Sequence, residues 1–148
     1  MRKTLLILTA LISFSIPALT SNPPKGTNTI YLIPDSDSPA AVYDGVMRAL
    51  ISEDVNIIST NADYHIIKAS GAPTISGTSV TCNIAILEMD DRAVIRVSGT
   101  YASPIDDFRS EEKVTRRGMS GSIAMQAWES MLSIAMILPH TSVEFETK

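Results

Sequence analysis

The sequence has little with which to build an active site. It holds one cysteine and two histidines in 148 residues. The lone Cys82 excludes an internal disulfide, so this chain must be held by its core, where small exported domains often use disulfide bridges. His65, His140 and Cys82 are far apart and show no metal-ligand spacing. No metal or other cofactor is therefore expected. Serines are frequent, yet no Gly-x-Ser-x-Gly turn follows a strand. "GMSGS" at 118–122 lacks that context, and its small residues read as a helix lead-in. Asp90-Asp91, Asp106-Asp107 and Glu111-Glu112 are neighbours on turns and loops. Acid–base chemistry needs carboxyls facing each other across a cleft. Asp35-Ser36-Asp37-Ser38 begins like a calcium loop but lacks the later glycine and distal glutamate. These absences favour a non-catalytic domain. An unrecognised hydrolase would have to draw on Ser120, Ser122 and His65.

Negative charge is absent from the N-terminal stretch. No acidic residue precedes Asp35, and 5–19 carries no charge. Arg2 and Lys3 precede this apolar run, and small residues Ala18, Thr20 and Ser21 follow it. That is the three-part pattern of a secretory signal. A membrane span takes roughly 20 apolar residues; this run is shorter and contains Pro17. Residues 1–20 are thus read as a signal peptide, with cleavage after Ala18, Thr20 or Ser21. No cysteine at the exit offers a lipid anchor. The mature product is expected to be soluble, periplasmic or extracellular, with no stable membrane anchor. Loss of Arg2 and Lys3 alone carries the formal charge from -4 to -6. An acidic domain is a poor partner for nucleic acid, which binds through phosphate neutralisation.

Residues 21–29 read as a linker of Pro, Gly and small polar residues, and 30–148 as one domain. The pattern gives a strand over 29–33 ended by Pro34. Ser38 caps a helix whose first position is Pro39, and whose stripe is Val42, Val46, Ala49 and Leu50. Strands over 55–60 and 64–70 flank a turn at 61–63. Residues 78–89 alternate, with Val80, Cys82, Ile84 and Ile86 inward. Asp90-Asp91 turns the chain, and 92–101 alternates again, with Ala93, Ile95, Val97 and Tyr101 inward. On that side Cys82 reads as a core thiol. Residues 102–117 are charged and read as a surface loop with a short extended piece near Val114. A second helix spans 119–138 and ends at Pro139. Residues 141–147 alternate enough for a C-terminal edge strand. No internal repeat or low-complexity tract is present.

The order β-α-β-β-β-β-α defines an α+β fold: an antiparallel sheet of about five strands, both helices on one face, with room for the edge strand. The segments "SPAAVYDGVMRALISE", "VTCNIAILEMDDRAVIRVSGTY" and "GSIAMQAWESMLSIA", in this order around a hairpin, resemble small exported bacterial domains of unknown function with a TATA-binding-protein-like, or helix-grip, fold. The resemblance covers most of the mature chain and is topological. It implies a fold and a compartment, not an activity, and carries no residue roles across.

Two surfaces stand out. The outward residues Thr81, Asn83, Arg92, Arg96, Ser98 and Thr100 form a candidate binding face, against the plainer reading of a solvated sheet. The second helix has only Glu129 as a charge between Gly118 and Pro139. Its charge-poor back, with Met119, Met125 and Met136, is a candidate interface. The alternative is that the 102–117 loop covers it through Ile105 and Phe108. The expectation is an exported domain acting through contacts with a protein partner or as a homo-oligomer. An apolar-ligand carrier and a secreted enzyme inhibitor stand as alternatives.

Overall fold

The computed structural model describes residues 22–102 and 111–147. The expected signal peptide, and Ile105 and Phe108, lie outside the described residues. The elements are β1 (Thr27–Ile33), α1 (Pro39–Ser52), β2 (Ile57–Asn61), β3 (Ile66–Ser70), β4 (Ser79–Met89), β5 (Arg92–Ala102), β6 (Glu111–Lys113), α2 (Ile123–Ile137) and β7 (Ser142–Thr147). The α+β class is as the sequence implies. The sheet has seven strands rather than about five, in the order β2-β3-β4-β5-β1-β7, with β6 also on β5.

The centre is the β4–β5 hairpin, two strands of 11 residues each. Asp90 and Asp91 join them with φ of 51° and 58°. Two left-handed residues match the right-handed strand twist, and aspartate tolerates that region better than most side chains. The register Ile84↔Val97 and Ile86↔Ile95 follows. It sends Val80, Cys82, Ile84, Ile86, Ile95 and Val97 to one side, where all are buried. Both helices lie on this side.

Helix α1 begins as the sequence indicates. Ser38 accepts a hydrogen bond from the Ala41 amide, and Pro39 is the first helical residue. Val42, Val46 and Leu50 are buried. Helix α2 starts at Ile123 rather than 119. Gly118 and Gly121 adopt φ of 86° and 81°, and Ser122 then caps the helix through the Met125 amide at 3.3 Å. Trp128, 1 % exposed, fills the space between α2 and the sheet. Its ring lies 6.4 Å from that of Phe145 on β7.

The strand β6 has no sequence signature, because all three of its residues are exposed. Pairing holds it: Lys113 lies opposite Thr100, and the Val114 amide donates to Gly99 O. Val114 is fully buried beside it, so the extended piece expected near Val114 is present. The same segment ties down the start of β1. Arg116 N–H donates to Thr27 O, and Gly26 N–H donates to Arg116 O. β1 accordingly begins at Thr27, two residues before the strand expected from the sequence.

Burial dominates the behaviour of Cys82. It raises the thiol from 9.0 to about 12. In the unfolded chain the thiol ionises near its ordinary value. This contribution to stability is full below pH 9 and is lost as pH rises towards about 12. In folded protein at pH 8, Cys82 is expected to resist a thiol-specific disulfide reagent and to react at once in denaturant. The variant Cys82→Val is expected to flatten the decline in stability above pH 9.

Candidate functional site

Among the described residues, helices cover one side of the sheet and none lies on the other, whose rows follow from strand register. Neighbouring strands are about 4.8 Å apart, and same-face residues along a strand about 7 Å. One row reads Glu144–Tyr31–Arg96–Ala85–Ile66–Asn61 across β7, β1, β5, β4, β3 and β2. On one side of it, Ser98 faces Asn83, which faces Lys68. Beyond that, Lys113 faces Thr100, Thr100 faces Thr81, and Thr81 faces Ser70. On the other side Val94 faces Leu87, and at the hairpin end Arg92 faces Met89.

All six residues of the sequence-derived face therefore lie on this surface. Thr81, Asn83, Ser98 and Thr100 are brought together as a half-buried polar block. Arg96 stands one row away, and Arg92 is eight residues from Thr100 along β5, about 27 Å. Arg92 and Arg96 are both exposed. The six are thus two groups, with a region between them that the sequence reading left out.

That region is apolar. Val94 and Ala85 are buried although they face away from the helices. Leu87 and Ile33 are half-buried, Ile66 is 40 % exposed and Met89 47 %. A signal existed: along β4 the outward residues Thr81, Asn83, Ala85, Leu87 and Met89 grade from polar to apolar. The contributions of β1 and β7 needed the register. Tyr31 donates its hydroxyl to Glu146 Oε2 at 2.9 Å, across 115 positions. Burial first, then the hydrogen bond and charge of Glu146, raise the tyrosine's pKa, and Arg96 works against them. Arg96 thus acts on the same cluster. A cleft of about 370 Å³ opens here, with Tyr31, Ile33, Val94 and Arg92 in its lining.

The methionines of the second candidate surface are not brought together in one exposed stripe. Met119 is 83 % exposed but precedes the helix. Met125 and Met136 are partly buried against the core. Within α2 only Glu129 and Ser133 are exposed, which accounts for the missing charges. Part of the cover comes from residues 71–78. Ser130 Oγ donates to Ala72 O at 2.6 Å, and the Ser76 amide donates to Gln126 Oε1 at 3.0 Å.

The remaining chemical candidates are separate. Cys82 is buried. His65 stacks at a tilt on Tyr43, with centroids 5.6 Å apart. His140 Nδ1 is 2.7 Å from Leu138 O. Ser122 is engaged as a helix cap. Among the described residues, no group of three or more His, Cys, Asp or Glu side chains is placed to hold a metal. None of the described helices is long and apolar enough to cross a membrane. Between helices and sheet the space is filled by Trp128, Ile30, Leu32, Met131 and their neighbours. A peripheral groove of about 430 Å³ runs between Val55, Pro73, Ile134 and Ile137.

Fold and surface together define an α+β layer domain in which, among the described residues, both helices lie on one face of the sheet. No protein-family model matches the chain, and no curated protein matches it. Among solved structures it is similar to a DUF4468 family protein from Bacteroides ovatus. That match has 12% identity and a TM-score of 0.35, over 78% of this chain and 83% of the other.

Proposed function

We propose that the protein is an exported, non-catalytic domain of the TATA-binding-protein-like type, which binds a protein partner through its outer sheet face. One observation carries the binding reading. The half-buried Leu87 and Ile33 and the exposed Met89 form an apolar strip around buried Val94 on the side of the sheet opposite both helices, flanked by Arg92, Arg96, Glu144 and Glu146. An apolar centre within a charged rim is the usual anatomy of a protein interface. Export rests on the N-terminal pattern of Arg2, Lys3 and the uncharged run over 5–19.

A photo-crosslinking residue at position 96, in the intact producing cell, tests the binding reading against the same residue at position 48 on the exposed side of α1. The expected result is a discrete covalent adduct from position 96 and none from 48. Equal adducts from both positions, or none from 96, would sink it. Intact mass tests export: protein recovered outside the cytoplasm is expected to lack residues up to 18, 20 or 21. A secreted enzyme inhibitor is the same reading with an enzyme as the partner.

The groove beside Val55 and Ile137 favours a second reading, a carrier of apolar ligands. Thermal shift with fatty acids and sterols tests it. A rise in midpoint that Ile137→Asp abolishes is its expected result, and no rise with any of them removes it.

A further inference from the structure

Resting on the carrier reading, we infer that the groove beside Val55 and Ile137 takes amphiphiles with a cationic head group, of the class of long-chain ammonium ions. The groove holds about 430 Å³, within the range of ligand pockets, about 300–1,000 Å³. Val55, Pro73, Ile134 and Ile137 supply its apolar wall. The ionisable side chains in its lining are both acidic, Glu53 and Asp54. Both are exposed, and neither has an ion-pair partner among the described residues.

The backbone adds to this charge. Helix α1, 14 residues long, has Glu53 as its C-cap. Helix α2, 15 residues long, ends at Ile137. The groove therefore meets the C-terminal ends of both helices, and a helix carries roughly half a negative charge there. A lysine or arginine in the last turn commonly offsets that charge, and neither helix has a basic residue there. The cations on the neighbouring segments are directed elsewhere. Arg48 is exposed, and stands roughly 200° around α1 from the buried Leu50. Lys68 lies opposite Asn83 on the outer sheet face. His140, beyond α2, has its Nδ1 2.7 Å from Leu138 O. None of the three is in the groove lining.

This combination selects the head group. A fatty-acid anion would bring a further carboxylate beside Glu53 and Asp54, and like charges repel. An uncharged ligand would fill the apolar wall and leave the negative end unmatched. An ammonium head meets the carboxylates and both helix ends while its chain covers Val55, Ile134 and Ile137. A metal ion would gain nothing from that wall, and no third ligand stands with the two carboxylates among the described residues. Of the carrier ligands named above, the uncharged sterols are therefore expected to bind better than the fatty-acid anions.

The test is a titration of the isotope-labelled protein, followed by amide resonances, with three ligands of equal chain length kept below micelle formation. They are decyltrimethylammonium, decyl glucoside and decanoate. The cation is expected to shift the amides of Val55, Ala72 and Ile137 and to bind most tightly, with decanoate the weakest. The double variant Glu53→Gln/Asp54→Asn is expected to weaken the cation roughly three- to tenfold, since two exposed charge pairs are lost, and to leave decyl glucoside unchanged. Asp54 has a φ of 56°, which asparagine also accepts, so the thermal midpoint should not fall. Decanoate or decyl glucoside bound as tightly as the cation, or undiminished cation binding in the double variant, overturns the inference and leaves the carrier reading standing. If none of the three ligands shifts a groove amide, the carrier reading falls with it.

Discussion

Trp128→Ala is expected to lower the unfolding free energy by about 3–5 kcal/mol, the usual loss for deleting a buried large aromatic side chain. Trp128 is the largest of the fully buried side chains. It stands on α2 over the sheet, and its ring meets Phe145 on the edge strand β7. Removing it therefore opens a cavity and also loosens an edge strand whose other neighbours are few. Domains of this size are stable by about 5–15 kcal/mol in total, so the variant should sit near its unfolding midpoint at modest denaturant. Urea unfolding followed by far-ultraviolet circular dichroism measures it. Trp128→Phe keeps an aromatic contact with Phe145 and is expected to recover part of the loss. A loss below about 1 kcal/mol would mean that the helix does not pack as described.

The second large effect is expected at Gly71, where the chain leaves β3 and passes α2. A Cβ there would overlap Ser130 Oγ and stand 2.8 Å from Val80 Cβ. Ser130 cannot simply move, because its hydroxyl holds the loop through Ala72 O and the residue is 4 % exposed. Gly71→Ala must either break that bond or push the loop off the helix. Overpacking of this kind costs about 1–3 kcal/mol. Combining Gly71→Ala with Ser130→Ala removes the closest overlap, so the double variant is expected to lose less than the sum of the singles. Strict additivity would show that the two residues do not touch.

Both sites show what was legible in the sequence. The helical stripe of α1, its cap and proline, and the inward residues of β4 and β5 are local patterns, and the structure has them in place. Trp128 shares the buried side of α2 with Ala127, Met131, Ile134 and Ala135, a helical spacing. Gly71, by contrast, matters because of Ser130, 59 positions away, and periodicity does not reveal such a contact. The strand β6 was hidden for a related reason. Its stability comes from Val114 and from pairing with β5, while its own residues are charged and exposed.

The candidate face divides in the same way. Alternation placed Thr81, Asn83, Arg92, Arg96, Ser98 and Thr100 on one side. It could not say that Tyr31, Glu144 and Glu146 would lie beside Arg96, because that depends on how β1 pairs with both β5 and β7. Nor did it separate a polar end of the face from an apolar one. The methionines divide likewise: Met119 is exposed before the helix, whereas Met125 and Met136 are partly buried against the core, and residues 71–78 supply part of the cover of α2.

The central claim is that the exposed apolar residues of the outer face, Ile66 and Met89, are kept for a partner rather than for the core. Urea unfolding of the double variant Ile66→Thr/Met89→Thr tests this most directly. The two residues are 40 % and 47 % exposed. If they are free surface, the stability of the purified protein should stay within about 1 kcal/mol of the parent, as expected for two exposed substitutions. A loss of several kcal/mol would contradict the account, because it would mean that this face is already covered within the protein itself.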